Sequence, residues 1–336
     1  LARPENLRYD PDPRGLVGAR EALAARLGCR HDELFLAAST SEAYAWLFKL
    51  LCDPGQAVLV PKPGYPLFDY LAGLEGLRAL PYRLEYRHPA GWAIDLDALM
   101  RVTDDHDARA IVVINPNNPT GSYLGEAERH ALVEFCSSRG IAIISDEVFL
   151  PYAVEGRGTS LGGEDGCLGF TLDGLSKLLC LPQLKLGWIR ISGPAPLARE
   201  AASRLEIIAD TYLSAGAPAM NALPALLKQA EAFVASVRER LRGNLTALRA
   251  AFESADSPYR VLRCEGGWTA LLECPRVRTD EELALGLLEG EGIALHPGYL
   301  YDFDREGYLA LSLILPPDEF ARGLAGLKRY LDGLLA

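Results

Sequence analysis

No two cysteines stand at CxxC spacing. The seven present (Cys29, Cys52, Cys136, Cys167, Cys180, Cys264 and Cys274) are odd in number and scattered. That pattern excludes a disulfide framework and a zinc site, and no metal is expected; it points to buried thiols in a reducing compartment. No apolar run approaches the ~20 residues of a membrane span, and no signal peptide opens the chain. The first residue is Leu1, not Met, as in a chain that lacks a native N-terminal piece. Positive charge is scarce, with 34 Lys and Arg against 45 Asp and Glu and a net charge of −11. Nucleic acid and anionic membranes are therefore poor candidates for main partners. Repeats and low-complexity segments are absent too. What remains is a chain expected in the cytoplasm, with 336 residues, 49% of them hydrophobic, enough for a large core and two domains.

The pattern along the chain is strand, turn, helix, strand, without hairpin signals. Residues 34–36, 57–60, 110–114 and 141–144 are short apolar runs that end in turn formers, as strands of a parallel sheet covered on both faces do. Helical spacing is read over 17–27, 43–51, 67–74, 126–138 and 195–208. A break follows at 210–216, then a long helical stretch over 218–253 with a change of partner midway. Strands at 269–273, 293–295 and 308–313, with helices at 280–289 and 318–335, describe a smaller unit. The fold class is α/β: a mostly parallel sheet sandwiched by helices over residues 1–238, the first thirty being an opening segment and helix, plus a small α+β domain over 239–336.

In such sheets the site lies beyond the carboxyl ends of the strands. Ser39, Thr40, Ser41, Tyr65, Asn118, Asp146 and Lys177 all fall just past such ends. Ser39 to Ser41, at a helix start, read either as an anion cradle or as an ordinary N-cap with Glu42 nearby. Lys177 and Lys185 lie among leucines, where a lysine is costly unless partnered. They either cap a solvated turn, or one of them is a desolvated nucleophile able to form a Schiff base.

The stretch Asn115-Pro-Asn-Asn118-Pro-Thr-Gly121, then Ser145-Asp146-Glu147-Val148-Phe149, then Leu175-Ser176-Lys177 followed by Lys185-Leu-Gly187-Trp188, resembles the class I/II aminotransferases, enzymes of fold type I that use pyridoxal 5′-phosphate. Tyr9 with Gly15 and Arg20-Glu21, and Pro297-Gly298 with Leu311-Ser312, extend the resemblance over nearly the whole chain. It implies that Lys177 forms a Schiff base with the cofactor and shuttles the substrate proton, and that Asp146 pairs with the pyridine nitrogen. It implies further that Asn118 donates to the phenolic oxygen beside Phe149, and that Tyr65 stacks on the ring. Ser39, Thr40, Ser41, Ser176 and Lys185 would bind the cofactor near its phosphate, and Tyr9 would reach the phosphate of a partner subunit in a homodimer. The activity implied is transfer of an amino group from an amino acid or other amine to a 2-oxo acid. A lyase, decarboxylase or cyclising synthase on the same fold, or a non-catalytic pyridoxal-phosphate-binding protein, are the alternatives.

Four departures stand out. Phe149 replaces a tyrosine, Gly174 a phosphate-binding serine, and Lys185 an arginine, which keeps charge but loses the bidentate fork. Ala310 stands where the family places an arginine for the substrate carboxylate. Three readings follow for that end: Arg305 substitutes, the substrate lacks a carboxylate there, or a missing N-terminal piece supplies the contact.

Overall fold

The apolar runs become the centre of an eight-stranded sheet. The computed structural model describes residues 4–213 and 215–335; Leu1 and Ser214 lie outside the described residues. In chain order the strands are β1 (Leu34–Ala37), β2 (Ala57–Lys62), β3 (Arg78–Arg87), β4 (Gly91–Ile94), β5 (Ala108–Ile114), β6 (Ala142–Asp146), β7 (Gly169–Gly174) and β8 (Gly187–Ser192). They lie in the order β1-β8-β7-β6-β5-β2-β3-β4. Neighbours from β7 to β3 pair in parallel. Because β8 runs against both β7 and β1, β1 points the same way as the parallel majority. Six strands thus finish at one edge of the sheet.

Helices cover both faces, which explains why β5 and β6 are apolar without alternation. They are α1 (Val17–Leu27), α2 (Thr40–Leu51), α3 (Phe68–Leu74), α4 (Leu96–Asp104), α5 (Glu126–Arg139), α6 (Leu175–Leu178), α7 (Ala195–Tyr212), α8 (Ala217–Leu227), α9 (Ala230–Phe252), α10 (Asp280–Glu291) and α11 (Pro317–Gly333). On one face Trp46, Leu47 and Phe48 of α2 and Leu205 of α7 pack on Val112, Ile144 and Phe170. On the other, Leu99 of α4 and Leu132 and Phe135 of α5 pack on Ile111 and Ile143. A second, antiparallel sheet follows: β9 (Arg260–Val261), β10 (Thr269–Glu273), β11 (His296–Pro297) and β12 (Tyr308–Ser312), in the order β11-β12-β10-β9. Leu272, Leu309 and Leu311 face the core shared with α9, α10 and α11. No helix among the described residues is long and apolar enough to cross a membrane.

Three details differ from the sequence reading. A hairpin of β3 and β4 occupies residues 78–94; β3 alternates half-buried with exposed positions and carries Pro81 and several charges, so its composition resembles a loop. The strand expected at 293–295 forms its ladder at 296–297 instead, after the left-handed cap Gly292 (φ 66°) ends α10. The long helix over 218–253 divides at Lys228-Gln229 into α8 and α9.

Asn244, 2% exposed on α9, ties that helix to the end of β12: its amide donates to the carbonyls of Leu313 and Leu315, each at 2.8 Å. Asn244→Leu leaves the buried Leu313 carbonyl unpaired and hands the part-buried Leu315 carbonyl to water, and should lower stability by about 1–3 kcal/mol, read as a lower urea midpoint at unchanged slope.

Candidate active site

The edge where the parallel strands finish holds an open cleft, the place where small-molecule sites of such sheets lie. Ser39, Thr40 and Ser41 enter from the end of β1, Tyr65 from β2, Asn118 from β5, Asp146 and Phe149 from β6, and Ser176 and Lys177 from β7. Nine residues singled out in the sequence therefore meet around one space. Two others are not among the lining residues: Lys185 is exposed in the turn before β8 with φ 49°, and Tyr9 is 79% exposed on the outer surface.

Asp146 is 9% exposed. Its Oδ1 accepts from the Val148 N–H at 3.2 Å, and its Oδ2 accepts from the Tyr44 hydroxyl at 3.0 Å. Burial pushes the carboxyl up to about 6, while those two donors and the charge of Lys177 pull it back. Tyr44 lies 102 residues away on the inward face of α2, and sequence reasoning missed it; its signal is a phenol one turn after Thr40 on a face otherwise apolar. Burial, then the Asp146 charge, pushes that phenol well above its ordinary range, so it remains a donor. The neighbouring Glu147 faces elsewhere and is fully bonded, accepting from Ser145 (2.9 Å), Ser160 (2.5 Å) and the Leu161 N–H (2.8 Å).

Lys177 Nζ lies 5.6 Å from the centre of the Phe149 ring and 5.4 Å from that of Trp268. Trp268 packs edge-on against both Phe149 and Tyr152, and was likewise missed. The Tyr152 hydroxyl donates to the carbonyls of Lys177 (2.8 Å) and Leu178 (3.0 Å), fixing the short α6. From β10, the Thr269 hydroxyl donates to Asn118 Oδ1 at 3.4 Å, which leaves the amide nitrogen for the cleft.

At the start of α2, Ser39 is an N-cap whose Oγ accepts from the Glu42 N–H at 3.2 Å, while the Glu42 carboxylate accepts from Ala38 N–H at 2.7 Å. The N–H groups of Thr40 and Ser41 have no acceptor within the helix, and both residues line the cleft at the positive end of the helix dipole. Two facing glycines let this end approach. A Cβ on Gly187 would stand 3.2 Å from Thr40 N, and one on Gly174 would stand 3.0 Å from the Leu186 carbonyl oxygen. A serine at 174 would therefore have to push β7 and β8 apart.

The space an arginine at 310 would need is filled: Ala310 packs with Leu271, Tyr301 and Tyr308, against Trp92 and Phe303. Arg305 is engaged within the second sheet: its guanidinium is paired with Glu273 at 2.7 Å and bonded to the Tyr308 hydroxyl over whose ring it lies. His296 Nδ1 and the Tyr301 hydroxyl are 2.9 Å apart. The Tyr65 loop is tied to this region by the Gly64 N–H, which donates to the Tyr301 carbonyl at 3.1 Å, and by Lys62, 3.0 Å from Asp304.

A family model described as aminotransferase class I and II matches residues 2–324. The chain is 32% identical over 234 residues to nicotianamine aminotransferase 1 of Oryza sativa subsp. japonica, a match covering 64% of this chain and 45% of that one. It is 25% identical over 340 residues to the glutamate-pyruvate aminotransferase AlaA of Haemophilus influenzae, covering 96% and 82%. Among solved structures it superposes on an alanine aminotransferase from Pyrococcus furiosus with a TM-score of 0.88 at 22% identity, covering 97% and 84%. The last likeness is one of fold.

Because the folded Asp146 carboxyl is raised to about 6 from its ordinary 3.8, the cofactor-free protein binds that proton more tightly than the unfolded chain. This contribution to stability is present below pH ~4 and lost as pH rises through about 6, amounting to about 3 kcal/mol. Asp146→Asn should leave stability near pH 4 unchanged and raise it at pH 7 by about 1–3 kcal/mol, measured by denaturant titration at both values.

Proposed function

The chain belongs to the class I and II aminotransferases, and from that premise we propose that it moves an amino group between an amino acid or other amine and a 2-oxo acid with pyridoxal 5′-phosphate as cofactor. The observation that carries the reading is the meeting of Lys177 and Asp146 in one cleft with the N-terminus of α2. The residues present fit that group. A buried carboxylate suits a protonated ring nitrogen, an amine suits an aldehyde, and free N–H groups with hydroxyls at a helix start suit a phosphate.

When bound, this cofactor supplies an electron sink for the pair left on the substrate carbon as its proton departs. Lys177 would hold the cofactor's aldehyde carbon through Nζ, with loss of water, and once freed by a substrate amine would take the substrate proton and return it. Asp146 would hold a proton at the ring nitrogen. Asn118 would donate its amide to the phenolic oxygen; Phe149, which has no hydroxyl, would offer only its ring face. Tyr65 would cover the ring. Thr40, Ser41 and the Ser39 hydroxyl would hold the phosphate with Ser176, and Lys185, exposed in the turn before β8, would add its charge. Trp268 and Phe149 shield Lys177 from water.

The active form is read as a homodimer in which Tyr9 reaches the partner's phosphate. Its support is the outward placement of Tyr9 together with exposed Tyr70 (71%), Leu74 (82%) and Ile207 (70%). The division into a large unit, 1–238, and a small one, 239–336, is kept on the same footing; it cuts α9 within its length. At the substrate end, the filled space at Ala310 favours a donor held by something other than a clamp from this strand.

A screen of amino donors against the pyridoxal-phosphate-loaded protein tests the reading. At least one donor should release a 2-oxo acid, and Lys177→Ala should lower that rate by at least ~10²-fold. Loss of CO2 or of a side-chain group from the donor, without transfer, would assign a lyase instead.

A further inference from the structure

We propose that Tyr44 is a positioning residue for Asp146: its hydroxyl, fixed on α2, holds the carboxylate in one orientation and in its charged form, so that its remaining lone pairs meet the cofactor's ring nitrogen. What the contact is for rests on the function proposed above; the contact itself does not.

An aspartate turns freely about two bonds unless both oxygens are held. The main chain holds Oδ1 through Val148, and Oδ2 is held by Tyr44 at 3.0 Å. Among the described residues, Tyr44 is the one side chain hydrogen-bonded to this carboxylate. Its own ring is 2% exposed, wedged edge-on against Phe68 (5.3 Å between centres) and tilted against Phe48 (5.8 Å). The packed ring leaves the hydroxyl little freedom to turn away from the carboxylate. The other titratable groups around Asp146 are Lys177 from α6, Tyr65 from the loop after β2, Asp173 from β7 and Glu147 beside it. Lys177 favours the charged form; Asp173 and Glu147, when ionised, oppose it. A neutral donor to a buried carboxylate favours the charged form without cancelling its charge. A salt-bridge partner would cancel it, and the carboxylate would have less to offer a ring cation. The helix adds a geometric reason: α2 presents Thr40 and Ser41 at its first turn and Tyr44 one turn later. One rigid element therefore carries both the phosphate end and the nitrogen end of the cleft, one helical turn (about 5.4 Å) apart along its axis.

The test uses the full chain with its aspartates carboxyl-¹³C-labelled, Asp146 being assigned by its loss in Asp146→Asn. In Tyr44→Phe, which keeps the ring packing, the Asp146 titration midpoint in the cofactor-free protein should move up by about 1–2 pH units. Pyridoxal-phosphate affinity at neutral pH should fall about tenfold or more, with the loss growing toward acid. The cofactor's phosphate titrates alike with both proteins, so the difference belongs to Asp146. An unmoved midpoint, or an affinity loss equal at every pH, leaves Tyr44 a packing role and overturns the proposal. Should Tyr44→Phe fail to fold, a ring-fluorinated tyrosine at position 44 keeps the contact and strengthens the donor. The midpoint should then fall, and a midpoint that stays also overturns the proposal. If the unaltered protein binds no pyridoxal phosphate, the functional reading fails while the carboxyl titration still decides whether Tyr44 holds Asp146.

Discussion

A carboxylate taken out of water among strand ends, with neutral donors at both oxygens and no ion-pair partner among the described residues, is the constraint around which the site is arranged. Removing a charge from water costs several kcal/mol unless it is paired or bonded, and Asp146 is bonded only enough to leave its carboxyl raised to about 6. The fold carries that cost because the carboxylate sits at the tip of β6, where flanking strands and α2 fix everything near it. Glu147 shows the contrast. With three donors around one carboxylate, it fastens the loop after β6 and is spent structurally. The two side chains leave the same strand end with opposite fates, one satisfied by the protein and one kept incomplete. An incomplete buried anion is a binding site for a cation, and a protonated ring nitrogen is such a cation.

Much of this was legible from the order of residues. Strand ends can be found wherever an apolar run stops at turn formers, and in a parallel sheet those stops share an edge. That is why Tyr65, Asn118, Asp146 and Lys177, far apart in the chain, could be expected together. Legibility ends where a residue acts from inside an element. Tyr44 sits mid-face on α2, where its spacing says only that it points inward, and Trp268 reaches Lys177 from the second sheet. Nothing local announces either partnership, because each depends on how distant elements pack. The β3–β4 hairpin was hidden for a different reason. At the border of the sheet a strand has one half-wet face and tolerates Pro81 and charge, so it lacks the apolar signature of its neighbours.

Of the four departures from the family pattern, the structure accounts for Gly174 and Ala310. Gly174 and Gly187 face each other across β7 and β8; the backbone of β8 takes the room a side chain at 174 would need, and the start of α2 takes the room at 187. Ala310 is accounted for by the aromatic packing that replaces a long cationic side chain. For lysine rather than arginine at 185 the structure offers no physical account.

The bond from the Gly64 N–H to the Tyr301 carbonyl, with Lys62 on Asp304 beside it, joins the loop that carries Tyr65 to the turn that leads into β12. A Cβ on Gly64 would meet the Pro61 carbonyl oxygen at 2.2 Å, so this loop has little slack of its own. The 298–304 turn and the loop bearing Tyr65 are therefore fastened to one another at two points, so the place of that aromatic ring is set from the second sheet as well as from the first.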